Sequence, residues 1–166
     1  MLAYLLIVLG LFSRLIIHTP NFNPLIAIAL FSGIYVSRKY AVILPLALMV
    51  ISDLFLGIHN VMAFTWGSIL IIALMGLKLR EHKSFKNVFL GSLSSAVIFF
   101  VATNFGVWLM TGMYTYDLSG LVNCFVMAIP FFRSSLASTL IYTVVLYGIY
   151  EAVALRVKNT RFASVL

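Results

Sequence analysis

The chain has 166 residues, 63% of them hydrophobic and only 9% charged, with a mean hydropathy of +1.13. A soluble domain is about half apolar and a quarter charged, so water is excluded as the solvent for most of this surface and lipid takes its place. The net charge of +7 does not point to nucleic acid, because the connectors between apolar runs are too short to build such a surface and basic residues gather in the cytoplasmic loops of membrane proteins.

One helical crossing needs about 20 residues, so the length predicts a single domain over residues 1–166 with about six spans. The first stretch, MLAYLLIVLGLFSRLII, lacks the basic start and small-residue cleavage site of a signal peptide and reads as a retained helix over 2–17. The connector His18-Thr19-Pro20-Asn21-Phe22-Asn23-Pro24 breaks it, since two prolines and two asparagines stop a helix. A short second span covers 25–36 and ends at Ser37-Arg38-Lys39. The third, 40–57, contains Pro45, which membrane helices tolerate and which can kink the span. The fourth covers 61–77 and leads into the most polar stretch, Lys78 to Asn87; the fifth covers 88–110.

An exposed loop with Tyr114, Tyr116 and Asp117 follows. The apolar segment 121–132 is too short to cross a bilayer and is expected to be interfacial or re-entrant, ending at Pro130. The sixth span is placed at 133–155, before a basic tail.

Basic residues alternate from connector to connector. Arg38 and Lys39 follow span two, Lys78, Arg80, Lys83 and Lys86 follow span four, and Arg156, Lys158 and Arg161 follow span six, whereas the connectors after spans one, three and five hold no lysine or arginine. Six crossings with both termini in the cytoplasm produce that pattern, which places the chain in the cell membrane. Trp66 and Trp108 then fall at the outer interface, where aromatic belts form.

Polar residues within the spans gather toward the same outer side. Arg14 and Asp53 each lie about one helical turn before the outer end of their span, about 6 Å deep. Asn104 lies about 9 Å inside the end of span five, and Arg133 opens span six. His18, Asn21, Asn23, His59, Asn60, Tyr116 and Asp117 belong to the outer connectors. Glu151 is the main polar residue of the inner half and is close enough to the basic tail to pair with it or to snorkel. This asymmetry predicts an outward-facing pocket whose contacts are Arg14, His18, Asn21, Asp53, Asn104, Trp108, Tyr116 and Arg133, with Phe22, Trp108 and Tyr116 covering apolar rings.

Each of these residues also has a structural reading. Arg14 and Asp53 suit an interhelical ion pair, Arg133 suits a snorkelling cation, and Asn104 suits helix-to-helix hydrogen bonding. Cys124 suits a small apolar filler and leaves no disulfide or paired-cysteine metal site. Small residues at Ala27, Ala29 and Gly33, and again at Gly91 and Ser95, mark where helices approach closely, either inside the bundle or against a partner subunit. The sequence holds no phosphate loop and no paired-histidine zinc motif, and its histidines lie outside the spans, away from Ser92, Ser94 and Ser95. No enzyme, metal or cofactor is therefore expected.

Pro20-Asn21-Phe22-Asn23-Pro24, Ala27 to Gly33, Asp53-Leu54-Phe55-Leu56-Gly57, Thr103-Asn104-Phe105-Gly106-Val107-Trp108 and Ile129-Pro130-Phe131-Phe132 together resemble a family of uncharacterised bacterial membrane proteins labelled as transport proteins. More distantly, the organisation is similar to the S components of energy-coupling factor vitamin transporters. That resemblance implies a six-helix bundle, ligand contacts on spans four to six, the 18–24 loop as a lid, and small residues docking a transmembrane coupling subunit with ATPases. The small-residue pattern lies in span two rather than span one, and the N-terminal histidine motif of the nickel and cobalt relatives is missing. The expected function is capture of a small vitamin-like solute from outside; a non-transporting scaffold or accessory subunit is the alternative.

Overall fold

The computed structural model describes residues 1–16, 21–160 and 163, the side chains of residues 13–16 and 56 excepted. Among the described residues the chain is helical, without strands: α1 (Leu2–Ile16), α2 (Leu25–Tyr35), α3 (Ile43–Leu56), α4 (Met62–Leu79), α5 (Phe85–Met110) and α6 (Leu118–Val157), with a 3-10 turn at Arg80–His82 between α4 and α5. The helices α4, α5 and α6 are long and apolar enough to cross a membrane, α4 together with that turn, whereas α1, α2 and α3 are shorter apolar helices.

The core is organised around α2. Its sequence, LIAIALFSGIY, is apolar on every side, as a helix surrounded by other helices must be, and each residue from Leu25 to Ile34 is buried. It packs against all five other helices. One side meets Leu2, Ala3, Leu6 and Ile7 of α1 and Leu146 and Tyr150 of α6. The other meets Met49 of α3, Ile69 and Ile72 of α4 and Val88 of α5.

Closest of all is the contact with α4. A Cβ added at Gly33 would lie 2.4 Å from the carbonyl oxygen of Ala73 and 2.6 Å from Cα of Gly76; one added at Gly76 would lie 2.5 Å from the carbonyl oxygen of Leu30. The two backbones therefore touch, and only glycine fits at either position. This changes the role of the small-residue face. Ala27 and Ala29 are wholly buried and Gly33 lies against α4, so the face packs inside the chain and leaves no surface there for a coupling subunit.

Both ends of α2 are tied down. Asn23 Oδ1 accepts from the backbone N–H of Leu25 at 3.1 Å, supplying a cap that Pro24 cannot. At the other end Arg80 donates to the carbonyl oxygens of Gly33, at 2.7 and 3.2 Å, and Val36. A cation at a helix C-terminus satisfies orphan carbonyls and opposes the negative end of the helix dipole. Beside it, Glu151 of α6 accepts from the Tyr35 hydroxyl at 2.5 Å and pairs with Lys83 at 2.6 Å. Its partners are thus the α2 terminus and the α4–α5 connector, in place of the basic tail.

Two expectations about prolines are corrected. Pro45 falls in the first turn of α3, which starts at Ile43; the N–H it lacks has no intrahelical partner there, so it produces no interior kink. Pro130 does not end a separate segment. α6 runs unbroken for 40 residues from Leu118 to Val157, so the interfacial piece 121–132 and the span 133–155 are one helix. Asp117 starts it by accepting from the N–H of Gly120 at 2.6 Å and from Thr115 Oγ1 at 2.8 Å, bonds that hold its carboxyl below the usual carboxylate value.

Substituting Gly33 or Gly76 with alanine is expected to lower stability by about 1–3 kcal/mol through overpacking against backbone, whereas the same change at Gly148, where a Cβ meets nothing within 4 Å, is expected to be neutral. Thermal unfolding of the purified protein checks the comparison.

Candidate functional site: a cavity above the short helix

With 11 residues, α2 is about 16 Å long, roughly half of a hydrocarbon core about 30 Å thick. The space beyond its N-terminus is bounded by α4, α5 and α6 and is only partly filled. A cavity of about 330 Å³ lies there. Its walls are Phe99, Phe100, Thr103, Asn104 and Val107 of α5, Ala128, Phe131, Phe132 and Ser135 of α6, Thr65 of α4, and Asn21 from the segment leading into α2.

The pairing of α5 with α6 builds most of this wall. Phe100 and Phe132 face each other with ring centroids 4.6 Å apart, and Phe125 meets the Phe100 ring edge-on at 5.6 Å. Cys124 Sγ donates to the carbonyl oxygen of Asn104 at 3.4 Å. The entry segment to α2 is fixed to α6 as well: Ser138 Oγ donates to the carbonyl oxygen of Asn23 at 3.1 Å, and Phe22 lies 6.0 Å from the Tyr142 ring. Asn21 adopts a left-handed backbone conformation, φ 57°, which asparagine tolerates better than most residues.

Polar groups are few. Thr65 and Thr103 donate their hydroxyl protons back to helix carbonyls, those of Met62 and Phe99. Asn104 Nδ2 donates to the carbonyl oxygen of Phe100 at 2.7 Å, which leaves its Oδ1 as an acceptor without a partner among the described residues. No lysine, arginine, aspartate, glutamate or histidine among the described residues lines the cavity. Aromatic walls with a few convergent neutral polar groups are the usual make-up of a small-molecule site.

Of the residues expected to form the pocket, Asn21 and Asn104 come together here. The Arg14 side chain and His18 lie outside the described residues. Asp53 is 5% exposed and belongs to a different contact: its Oδ2 accepts from Trp66 Nε1 at 2.8 Å and lies 3.8 Å from His59 Nε2. It ties the end of α3 to the start of α4, as a structural polar group does, with Trp66 as its partner. Trp108 donates to the carbonyl oxygen of Thr115 at 2.9 Å and packs on Phe105 and Tyr116, at 5.6 and 6.0 Å. Trp108 and Tyr116 thus shape the α5–α6 connector without lining the cavity. Arg133 is exposed part-way along α6 rather than at the start of a span, and it does not line the cavity either.

Residues 1–162 match a family described as of unknown function, DUF6580. The chain belongs to that family. No curated protein and no solved structure matches it. Sequence alone does not mark the aromatic walls as a site, although it holds Phe-Phe pairs at 99–100 and 131–132. Phenylalanine occurs 14 times in this chain, mostly in apolar runs, so a pair of them carries little signal until two helices face each other.

Replacing Trp66 with phenylalanine removes the closest donor to a buried carboxyl group and is expected to cost about 1–3 kcal/mol. Trp108→Phe, whose indole serves an exposed carbonyl, is expected to cost less. Comparing unfolding temperatures of the two variants checks the assignment.

Proposed function

We propose that this chain is a membrane protein that binds a small, uncharged, partly aromatic solute for uptake, with the cavity between α4, α5 and α6 as the binding site. The observation that carries the reading is the lining itself: phenylalanines from two helices, the Asn104 Oδ1 acceptor and no charged side chain among the described residues. Rings would stack against Phe100 and Phe132, where offset and edge-on geometries add about 0.5–1.5 kcal/mol beyond burial. A donor on the solute would meet Asn104 Oδ1. A carboxylate or phosphate would find no counter-charge and would lose its hydration shell.

In this reading the chain sits in the cell membrane with both termini in the cytoplasm and with six crossings, in keeping with the alternation of basic connectors. Release to the inside needs energy from elsewhere, since the sequence has no nucleotide-binding loop. The resemblance to energy-coupling factor S components supplies a source, a transmembrane coupling subunit with ATPases, docked somewhere other than Ala27, Ala29 and Gly33.

A second reading, a non-transporting scaffold or accessory subunit, is favoured by the way Asp53 is engaged with Trp66. Titration calorimetry on the purified protein with neutral heteroaromatic solutes and their carboxylated analogues, followed by uptake in cells carrying the gene, separates the two. Uptake is expected to depend on the protein, and neutral members are expected to bind. Phe100→Ala should weaken binding by roughly 10- to 100-fold, the equivalent of losing about 1.5–3 kcal/mol of aromatic burial, while the fold is retained. If no member binds and uptake is unchanged, the scaffold reading stands instead.

A further inference from the structure

The outward face of α6 is apolar over most of its length except for one charge. At helical spacing, Val126, Pro130, Ala137, Ile141 and Val144 share a face with Arg133, and all are exposed. Arg133 makes no ion pair or hydrogen bond with any described residue. Its level follows from the helix beside it. The neighbouring Phe132 ring lies 4.6 Å from that of Phe100, and Phe100 is near the middle of α5, Phe85–Met110, about 15 Å from the Met110 end. With α5 as a single crossing, the guanidinium starts near mid-depth, farther from the interface than its side chain extends. An unpaired arginine facing lipid at that depth is costly.

The chain cannot supply the missing counter-charge, even from a second copy. It has four acidic residues, and each is engaged away from mid-depth. Asp53 is buried against Trp66 at the end of α3, Glu81 pairs with Arg38 beyond α4, Asp117 caps the start of α6, and Glu151 is held by Lys83 and Tyr35 near its end. We propose that this face of α6 docks a transmembrane helix of a different protein, one that carries a carboxylate at mid-depth opposite Arg133. Small residues continue the face on the C-terminal side of Arg133, at Ala137 and Gly148, and a Cβ at Gly148 would meet nothing within 4 Å, so a helix can approach closely there. The carboxylate and guanidinium form a bidentate pair out of water, and the apolar residues above and below set the register.

The test uses the full chain, labelled and reconstituted into zwitterionic lipid vesicles, with synthetic leucine-rich transmembrane peptides bearing Glu, Gln or Leu at the centre. Energy transfer between chain and peptide reads association. The Glu peptide is expected to associate at least about tenfold more tightly than the Leu peptide. Arg133→Leu should erase that preference, and Arg133→Glu should transfer it to a peptide with a central Lys. Unfolding temperatures of both variants guard against a loss that reflects misfolding; Arg133→Leu removes an unpaired charge and is expected to fold at least as well as the parent. Equal association of all peptides overturns the proposal. So does Arg133-dependent self-association of the chain, which would make a second copy the occupant. So does rapid modification of an Arg133→Cys variant by a membrane-impermeant maleimide, which would place the residue in water at the interface.

Discussion

The backbone contact between α2 and α4 at Gly33 and Gly76 is the constraint on which the remaining architecture depends. It lets a helix of 11 residues sit at the centre of the bundle with its sides covered, because a larger residue at either position would push the helices apart. A central helix that is only about half as long as the bilayer core is thick leaves a space beyond its N-terminus. The longer helices α4, α5 and α6 continue past that point and enclose it. Membrane proteins tolerate such interrupted elements where the freed backbone is buried in protein or lines a cavity. Here the Asn23 cap and the Arg80 clamp serve the two ends.

The two ends of the bundle then differ in chemistry. Around the C-terminus of α2, Arg80 holds the Gly33 and Val36 carbonyls, and beside it Tyr35, Glu151 and Lys83 form a connected polar set, with the Lys83 ammonium also 4.8 Å from the Tyr35 ring centre. It joins α2, α6 and the α4–α5 connector. The opposite half holds neutral polar groups among phenylalanines. Charge at one end fixes how the helices close, whereas no charged side chain among the described residues lines the cavity at the other. The only described charged group well buried toward that side, Asp53, is already occupied by Trp66.

Much of the helix layout was legible in the sequence. The expected limits of the first five spans agree with α1 to α5 to within about one turn, because long apolar runs and the punctuation by Pro20, Pro24, Gly57 and the Lys78–Asn87 stretch are strong signals. α6 departs from its expected division into 121–132 and 133–155 for two reasons: Pro130 does not interrupt the helix, as proline is tolerated inside membrane helices, and a helix of 40 residues exceeds what a single upright crossing requires. Among the residues that line the cavity, Asn21 and Asn104 are the ones that polarity alone marks out. Asp53 and Arg133 could not be assigned, since their roles depend on which helix lies alongside and which way the side chain faces. The docking role given to Ala27, Ala29 and Gly33 failed for the same reason: a small-residue stripe shows that something approaches closely without showing what.

The central claim is that the short α2 leaves a solvent-reachable, aromatic-walled space deep within the bundle. Reactivity of a single cysteine at Ser135, introduced with Cys124→Ser, tests it most directly. Ser135 is part-way along α6 and lines the cavity, so the account predicts modification by a small water-soluble reagent added from outside, and loss of that reactivity when Ala128→Trp fills the space. An unreactive cysteine, or one that reacts equally well in the filled variant, would contradict it.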